Sequence, residues 1–569
     1  MEEYIVTLHN REDLDDFYND METPGGDLYI PDRAVNLHLR RPISRNTHYM
    51  LTPKEVKELK KDSRVMSIES RAMLDLVEWK LNGYSESGDW KRSNDSISAG
   101  DKNWGILRHT IGANAESGTW GDTLLSGSVD TSTATVNITS SGKNVDVLIV
   151  DGSITTTAMG HPELAVNADG TGGSRVQAFN WFSLTNQLGL GSNGTYDYTT
   201  MVGETDTNHG VHVAGTVAGN TLGWAREANI YSLEALSSGT NHGNNGLESL
   251  TVWDYIREWH NTKPINSETG RRNPTVSNHS YGTTTTRDGN ITNGPFDGVG
   301  IVRYRGVTYD KYGDLAADLN NSELNARGIY TSGTGNWIIG VSIAAVNADI
   351  TDAIADGIIV VTSAGNHYQK QTQSGNQDYE NYLYLRIGSN PYAETIASNR
   401  AAGVGLNEPT LNVGALDVYR DDRKKASSVC GDGTDIHAAG DNIMSSTLTG
   451  SFGGITDSRN GSFYLSKISG TSMASPQVAG VIALLLESNP SLNQAEVNAW
   501  IEANANKDLM YDTGVDSSTN LQSLQGSPNR ILRWINQRPE TGMSFPKVNA
   551  KARPTSGGVY PRPRIRKRG

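Results

Sequence analysis

The chain has 569 residues, more than most single domains, so we expect one large domain with smaller appended parts. Hydrophobic residues make up 36% of it and 61 residues are glycine, which suits a sizeable core wrapped in long loops. The formal net charge of −14 argues against general nucleic-acid binding.

The single cysteine, Cys430, excludes an intrachain disulfide and suits a reducing compartment or a secreted fold without disulfides. We expect it to be a packing residue. No stretch approaches the roughly 18 apolar residues that span a bilayer, and the acidic start lacks the basic and apolar parts of a signal peptide. These features predict no membrane partner, and a protein that is cytoplasmic, released, or associated with a virus particle.

Residues 1–80 are predicted to form a small α+β module. Residues 4–8 and 65–69 have the pattern of strands, and residues 13–20 that of a short helix. A second helix is expected after Thr52, which has Pro53 and Glu55 at the positions of a capping box. Residues 81–103 are polar and rich in Gly, Ser and Asn, which indicates a linker.

Two stretches place chemistry-bearing residues at the ends of predicted elements. The β-branched run 145–150 is typical of a buried parallel strand and ends in Asp151, where open α/β sheets place their sites. His209 begins a helix rich in small residues. A terminal Asp is more often a cap or turn residue. His212 is expected to be a packed histidine, since no third metal ligand stands at suitable local spacing.

Two later stretches have the same character. Small residues around Ser472 precede an apolar run, so its hydroxyl is expected in the first turn of a buried helix, where free N–H groups stabilise negative charge. The general alternative is an N-capping serine. Residues 357–362 predict another buried strand, which leads to Asn366; an Asn after Gly is usually a turn residue.

The strings G-T-S-M-A-S-P, H-G-V-H-V-A-G-T and S-A-G-N together resemble the subtilisin-like (S8) serine proteases over roughly residues 104–535. The resemblance implies an α/β fold, with a mostly parallel β-sheet flanked by helices and preceded by the small module. It also implies that the chain is a serine endopeptidase acting through an acyl-enzyme. The implied catalytic residues are Asp151, which orients the base, His209 as general base, Ser472 as nucleophile and Asn366 as oxyanion donor.

The resemblance implies a polypeptide substrate paired with the edge residues Ser280, Tyr281 and Gly282. Ser363, Ala364 and Gly365 would wall the pocket for the residue before the scissile bond. His367 and Tyr281 favour an apolar residue there. No cofactor is required; family members often carry structural calcium, but the sequence assigns no ligands.

Residues 1–80 also resemble the inhibitory propeptide (I9 type) of this family, which would make the chain's own N-terminal module a partner. Self-processing would then fall within 81–103, and the mature domain would cover 104–537. An unrelated N-terminal domain is the alternative. Residues 283–337 are interpreted as a surface insertion. The basic tail 538–569 is expected to be solvated, with nucleic acid or an acidic partner as the less favoured role.

The sequence departs from the family pattern at three places. Gly152-Ser153 follows the Asp where a hydroxyl residue and then Gly are usual, Val211 replaces a Thr, and Ala439 replaces a Pro. These changes predict reduced rather than absent activity. The alternative hypothesis is a catalytically weak or inert structural or scaffolding protein that keeps the fold, in a virus particle for example.

Overall fold

The structure is a computed structural model. It describes residues 1–29, 37–39, 44–70, 83–90, 97–98, 100–111, 134–191, 194–201, 203–235, 245, 247, 249–282, 284–288, 298–310, 336–340, 342–387, 390–400, 403–405, 408–418, 422–512 and 521–536. The chain divides into two compact units, Met1–Leu81 and Asn82–Gly569. The basic tail predicted for 538–569 lies outside the described residues.

The first unit is a small antiparallel sheet with two helices. Its elements are β1 (Glu2–Leu8), α1 (Leu14–Glu22), β2 (Leu37–Leu39), β3 (Asn46–Leu51), α2 (Pro53–Leu59) and β4 (Val65–Ser70). The strands lie in the order β2-β3-β1-β4. The predicted capping box is confirmed, since Thr52 Oγ1 accepts from the Glu55 N–H and Glu55 Oε2 from the Thr52 N–H. The sequence pattern missed β3, which pairs with β1.

The second unit contains the remaining described elements. Its strands are β5 (Tyr84–Ser87), β6 (Thr135–Ile138), β7 (Asp146–Asp151), β8 (Val176–Gln177), β9 (Asn229–Glu234), β10 (Thr275–His279), β11 (Thr284–Asp288), β12 (Gly298–Tyr304), β13 (Val307–Asp310), β14 (Asn336–Gly340), β15 (Ile359–Ser363), β16 (Tyr382–Ile387), β17 (Asn390–Ala397), β18 (Leu411–Leu416), β19 (Ile436–Ala439), β20 (Ile443–Thr447), β21 (Ile455–Asp457), β22 (Asn460–Ile468), β23 (Asn506–Lys507) and β24 (Arg530–Ile531). Its helices are α3 (Trp104–Ile111), α4 (Glu204–Ala218), α5 (Ser249–Thr262), α6 (Ala344–Ala355), α7 (Thr471–Ser488) and α8 (Gln494–Asn504).

A nine-stranded sheet forms the centre of this unit, in the order β23-β24-β19-β18-β15-β10-β7-β9-β8. All neighbours are parallel except β23 and β24. Every residue of β7, β10, β15 and β18 is buried, because helices cover the sheet, and α7 packs against five of its strands. The predicted fold class, a mostly parallel sheet flanked by helices with a small α+β module, is confirmed.

Residues 83–90 belong to this second unit, which differs from the linker predicted for 81–103. β5 pairs with β6, and Glu86 forms ion pairs with Lys102 and Arg226. Trp90 has no exposed surface, and its indole N–H donates to the Ala134 carbonyl at 2.7 Å. The polar composition that suggested a linker belongs to a segment anchored by one large buried side chain.

The insertion predicted for 283–337 contributes strands to a separate six-stranded sheet, which we call the accessory sheet. Apart from these strands and the turn 305–306, the residues of the insertion lie outside the described part of the chain. The accessory sheet joins β11 to β14 with β16 and β17, two strands that the sequence did not predict. A buried carboxylate anchors it: Asp378 pairs with Arg305, between β12 and β13, and with Lys370 at 2.8 Å.

The helices in the described ranges include none with the length and apolar character needed to cross a membrane.

We expect Trp90→Ala, made in a Ser472→Ala background to prevent any self-digestion, to lower the free energy of unfolding of the second unit by about 3–5 kcal/mol. Trp90→Phe keeps a ring and loses only the N–H bond, so about 1 kcal/mol is expected. Denaturant unfolding followed by fluorescence measures both. Equal stability of Trp90→Ala and its parent would show that residues 83–90 are a linker after all.

Candidate active site

The carboxyl edge of the central sheet carries three of the predicted site residues. Asp151 is the last residue of β7 and is fully buried, Ser280 directly follows β10, and Ser363 ends β15. These strands are parallel neighbours, so they end at the same edge. The topology therefore brings together residues that are far apart in sequence.

Asp151 and His209 form a hydrogen bond of 2.7 Å between Oδ1 and Nδ1. Two glycines let helix α4 approach closely enough for this contact. A Cβ on Gly152 would lie 2.0 Å from the Asp206 main-chain oxygen, and one on Gly210 would lie 2.4 Å from that of Gly152. Any larger residue at either position would push the helix, and His209 with it, away from Asp151.

The pKa of His209 is raised above its ordinary value. Burial acts in the opposite direction, but the charge and hydrogen bond of Asp151, together with the charge of Asp206, outweigh it. A carboxylate only accepts, so Nδ1 carries the hydrogen and Nε2 of the neutral ring is the nitrogen that can take a proton. The arrangement is that of a general base whose proton-bound form is stabilised by two carboxylates.

His212 is buried one helical turn after His209. Its Nε2 lies 2.9 Å from the Ile443 carbonyl, and burial lowers its pKa to about 3, so the ring is neutral. These contacts support the packing role expected for it. Among the described residues, no three His, Cys, Asp or Glu side chains are grouped closely enough to hold a metal ion, so we assign no calcium ligands.

Ser472 is the second residue of α7, and Pro476 shapes its surroundings. Pro476 has no N–H to donate to the carbonyl four residues earlier, which is that of Ser472. Ser280 Oγ donates to this carbonyl at 3.0 Å, and Ser472 Oγ donates to the Ser280 carbonyl, also at 3.0 Å. Within the described residues Ser472 Oγ has no hydrogen bond to His209. The hydroxyl must therefore turn from Ser280 toward Nε2 before it can lose its proton there.

Asn366 is held at the start of α7 by Thr471, the residue before Ser472. Its Oδ1 accepts from the Thr471 N–H at 2.8 Å and from the Thr471 hydroxyl at 3.0 Å. Both bonds use the oxygen, so Nδ2 remains a donor, and it borders Gly470: a Cβ there would lie 3.3 Å from it. Gly470 has φ +155°. Thr471 was not predicted as a site residue, although it lies inside the motif that identified Ser472.

The three predicted substrate-edge residues differ in exposure: Ser280 is buried, Tyr281 is half-buried and Gly282 is exposed. The Tyr281 hydroxyl lies 3.1 Å from His279 Nδ1, and the His279 ring stacks on Trp253 at 4.6 Å between centroids. Burial lowers the pKa of His279 to about 3, so it is a neutral anchor for Tyr281. The sequence patterns did not single out His279 or Trp253 as part of this site.

The three predicted pocket-wall residues follow each other at the end of β15. Ser363 and Ala364 are buried, and Gly365 is half-buried. The Ala364 N–H donates to the Val413 carbonyl, and its carbonyl accepts from Gln371 Nε2. Their peptide groups are thus already occupied, so a wall built here would be rigid.

The departures from the family pattern have different structural consequences. Asp151 Oδ2 is buried without a hydrogen-bond partner among the described residues, as is Ser153 Oγ, so the usual hydroxyl beside the carboxylate is not replaced by Ser153. Val211 is fully buried. Ala439 has a clear reason: its N–H donates to His109 Nε2 at 2.9 Å, a bond that proline could not make.

We expect Asp206→Asn to lower the pKa of His209, because it removes one of the two negative charges that stabilise the imidazolium. NMR titration of His209 in the Ser472→Ala protein measures this without any turnover. Glu204→Gln is the matched control: it lies in the same first helical turn, and its carboxylate accepts from the Thr449 and Ser451 hydroxyls. An equal shift in both variants would contradict a specific role of Asp206.

A profile of the subtilase family matches residues 115–527 of this chain. Among curated proteins, the chain is 26% identical over 329 residues to the subtilase-type proteinase isp6 of Schizosaccharomyces pombe, covering 57% of this chain and 47% of isp6. It is 33% identical over 171 residues to the serine protease AprX of Bacillus subtilis, covering 28% of this chain and 32% of AprX. The chain thus spans less than half the length of these relatives.

Among solved structures, a cold-adapted subtilisin-like serine proteinase matches 70% of this chain and 91% of its own, with 18% identity and a TM-score of 0.38. The family profile covers well over half of the chain and includes the segments that carry Asp151, His209, Asn366 and Ser472. The chain belongs to the subtilase family.

Proposed function

We propose that the chain is a serine endopeptidase that hydrolyses peptide bonds through an acyl-enzyme intermediate. The observation that carries this proposal is the 2.7 Å hydrogen bond between Asp151 and His209. This bond orients the His209 ring and leaves Nε2 available to take a proton. The ring lies at the same edge of the sheet as Ser280, whose carbonyl accepts a hydrogen bond from Ser472 Oγ. Membership of the subtilase family supports the same reaction.

In the proposed mechanism, His209 Nε2 takes the proton of Ser472 as Oγ attacks the substrate carbonyl. A serine hydroxyl is a poor nucleophile near neutral pH without such a base. Asp151 keeps the hydrogen on Nδ1 and offsets the charge of the imidazolium. His209 then protonates the leaving amine, and water attacks the acyl-enzyme with His209 again as base.

The proposed oxyanion donors are Asn366 Nδ2 and the main-chain N–H of Ser472. The two hydrogen bonds from Thr471 to Asn366 Oδ1 fix the amide before substrate binds. Preorganised donors cost no rearrangement in the transition state, and removing one such donor costs roughly 3–4 kcal/mol in subtilisin. Asn366 is the residue whose loss should lower the rate without preventing acylation.

For the substrate, we propose an extended polypeptide that pairs with residues 280–282, with Ser363, Ala364 and Gly365 beside the pocket. The anchored ring of Tyr281 supports an apolar residue before the scissile bond. We keep the N-terminal unit as a proposed propeptide. Its removal would then occur before Gly83, because Trp90 and β5 are integral to the second unit.

The second candidate is a weak or inert structural protein with the same fold. Two observations favour it: Asp151 Oδ2 has no hydrogen-bond partner within the described part of the chain, and the Ser472 hydroxyl bonds to the Ser280 carbonyl. A fast enzyme of this kind needs a carboxylate held by hydrogen bonds at both oxygens and a serine hydroxyl that donates to the base. Measured activity decides between the two candidates.

We expect the wild-type protein to react with a fluorophosphonate probe and to cleave casein, and Ser472→Ala to lose both. Loss of a triad member leaves at most the residual catalysis of binding and the oxyanion donors, so a fall of at least about 10³-fold is expected. Ser462→Ala removes an exposed hydroxyl on β22 and should behave as wild type. Identical behaviour of wild type and Ser472→Ala would overturn the proposed function.

If the N-terminal unit is removed by self-cleavage, intact-mass measurement should show a mature chain that still contains Gly83 and Trp90. The Ser472→Ala protein should keep its full mass. A new N-terminus after Trp90 would contradict the proposed processing position. An uncut wild-type chain that nevertheless cleaves casein would remove the propeptide proposal alone.

A further inference from the structure

Asn103 and Gln477 exchange two hydrogen bonds between their side-chain amides. Gln477 Nε2 donates to Asn103 Oδ1 at 2.9 Å, and Asn103 Nδ2 donates to Gln477 Oε1 at 3.2 Å. Both residues are fully buried. Asn103 directly precedes α3, and Gln477 lies on α7 five residues after Ser472, so the pair joins the beginning of α3 to the helix that carries Ser472.

Other contacts fix the orientation of both amides. Trp224 Nε1 donates to Gln477 Oε1 at 2.6 Å, and Asn103 Nδ2 also donates to the Leu222 carbonyl at 3.1 Å. The junction is tightly packed, because a Cβ on Gly105 would lie 2.5 Å from Gln477 Nε2. Neither amide can rotate without leaving a buried polar group unpaired, which costs about 1–3 kcal/mol.

Residues 103–109 also contact the loop at Ala439 and Gly440, which in turn is bonded to the turn before Ser472. His109 Nε2 accepts from the Ala439 N–H at 2.9 Å, and the next residue, Gly440, accepts from the Gly470 N–H at 2.7 Å. Residues 103–109 therefore contact the body of α7 on one side and, through Ala439 and Gly440, the turn before Ser472 on the other.

This bracing matters because the first turn of α7 is weakly tied to the rest of the helix. Pro476 removes the hydrogen bond that would link it to Ser472. The position of Ser472 then depends on contacts from outside this helical bond. Ser280 contacts the Ser472 carbonyl directly, and residues 103–109 add a contact at Gln477 and, through Ala439 and Gly440, one at the turn before Ser472.

We propose that Asn103 and Gln477 are positioning residues for Ser472. Resting on the proposed peptidase function, this predicts that their hydrogen bonds set the rate of acylation and leave substrate binding unchanged. Neither side chain contacts the reacting atoms; they act by fixing the helix that presents the nucleophile.

The test compares Gln477→Met, Asn103→Leu and the double variant, which keep side-chain volume and remove the amides. We expect each single variant to lose at least about tenfold in kcat with KM within about twofold, since small misplacements of a reacting group are costly. The double variant removes both amides at once and leaves unpaired the Trp224 indole N–H, the Leu222 carbonyl and the Gly105 N–H. Because the bonds within the pair are then lost only once, its fall in melting temperature should be smaller than the sum of the two single falls, while its kcat stays low.

Asn273→Ala is the matched control, because Asn273 is also buried and donates to Asp146 Oδ1 at the opposite end of β7. It should lower the melting temperature with kcat unchanged. Recovery of kcat together with stability in the double variant, or an equal loss of kcat in Asn273→Ala, would overturn the positioning role.

Hydrogen exchange provides a readout that needs no turnover. In the double variant, amides of residues 470–475 should exchange at least about tenfold faster, while those of 480–486 stay protected. Unchanged exchange would overturn the inference even if the protein proved inert. An inert wild type with the expected exchange pattern would instead remove the proposed function alone.

Discussion

The close approach of helix α4 to the end of β7 is the constraint on which the site depends. Without Gly152 and Gly210 the helix could not come near enough for His209 to reach Asp151. The same approach places Asp206 where its charge acts on His209. The absence of a side chain at these two glycines therefore determines both the position of His209 relative to Asp151 and the rise in its pKa.

Around Ser472, a hydrogen bond that is missing from the helix is replaced by a contact from another part of the chain. Pro476 leaves the Ser472 carbonyl without its helical donor, and Ser280 supplies one from the neighbouring strand end. Thr471 similarly ties Asn366 to the helix start. The start of the helix is thereby joined by hydrogen bonds to the segments that follow β10 and β15.

The sequence predicted the elements that a local residue pattern marks. It did not predict those contacts that join residues far apart in the chain. Asp151 ends a run whose pattern predicts a buried strand, Ser472 precedes a run whose pattern predicts a buried helix, and the structure contains both elements. Trp90 was placed in a linker, because its burial depends on β6, some fifty residues further on. The Asn103–Gln477 pair spans 374 residues, and no local pattern points to it. Strand β16 was missed because it pairs with β12 in the distant insertion, and β17 was missed although it pairs with its neighbour β16.

The anchor of the accessory sheet bears on how the protein should respond to acid. Burial disfavours the charge of Asp378, but hydrogen bonds and charges from Arg305 and Lys370 outweigh it and lower its pKa to about 2. Stability from this anchor is present above the ordinary carboxyl range and is lost only as the pH falls through about 2. His209, in contrast, takes up its proton at a pH above its ordinary value. Moderate acidification should therefore protonate His209 while Asp378 stays ionised, so the accessory sheet keeps its anchor at a pH at which the candidate base no longer accepts a proton.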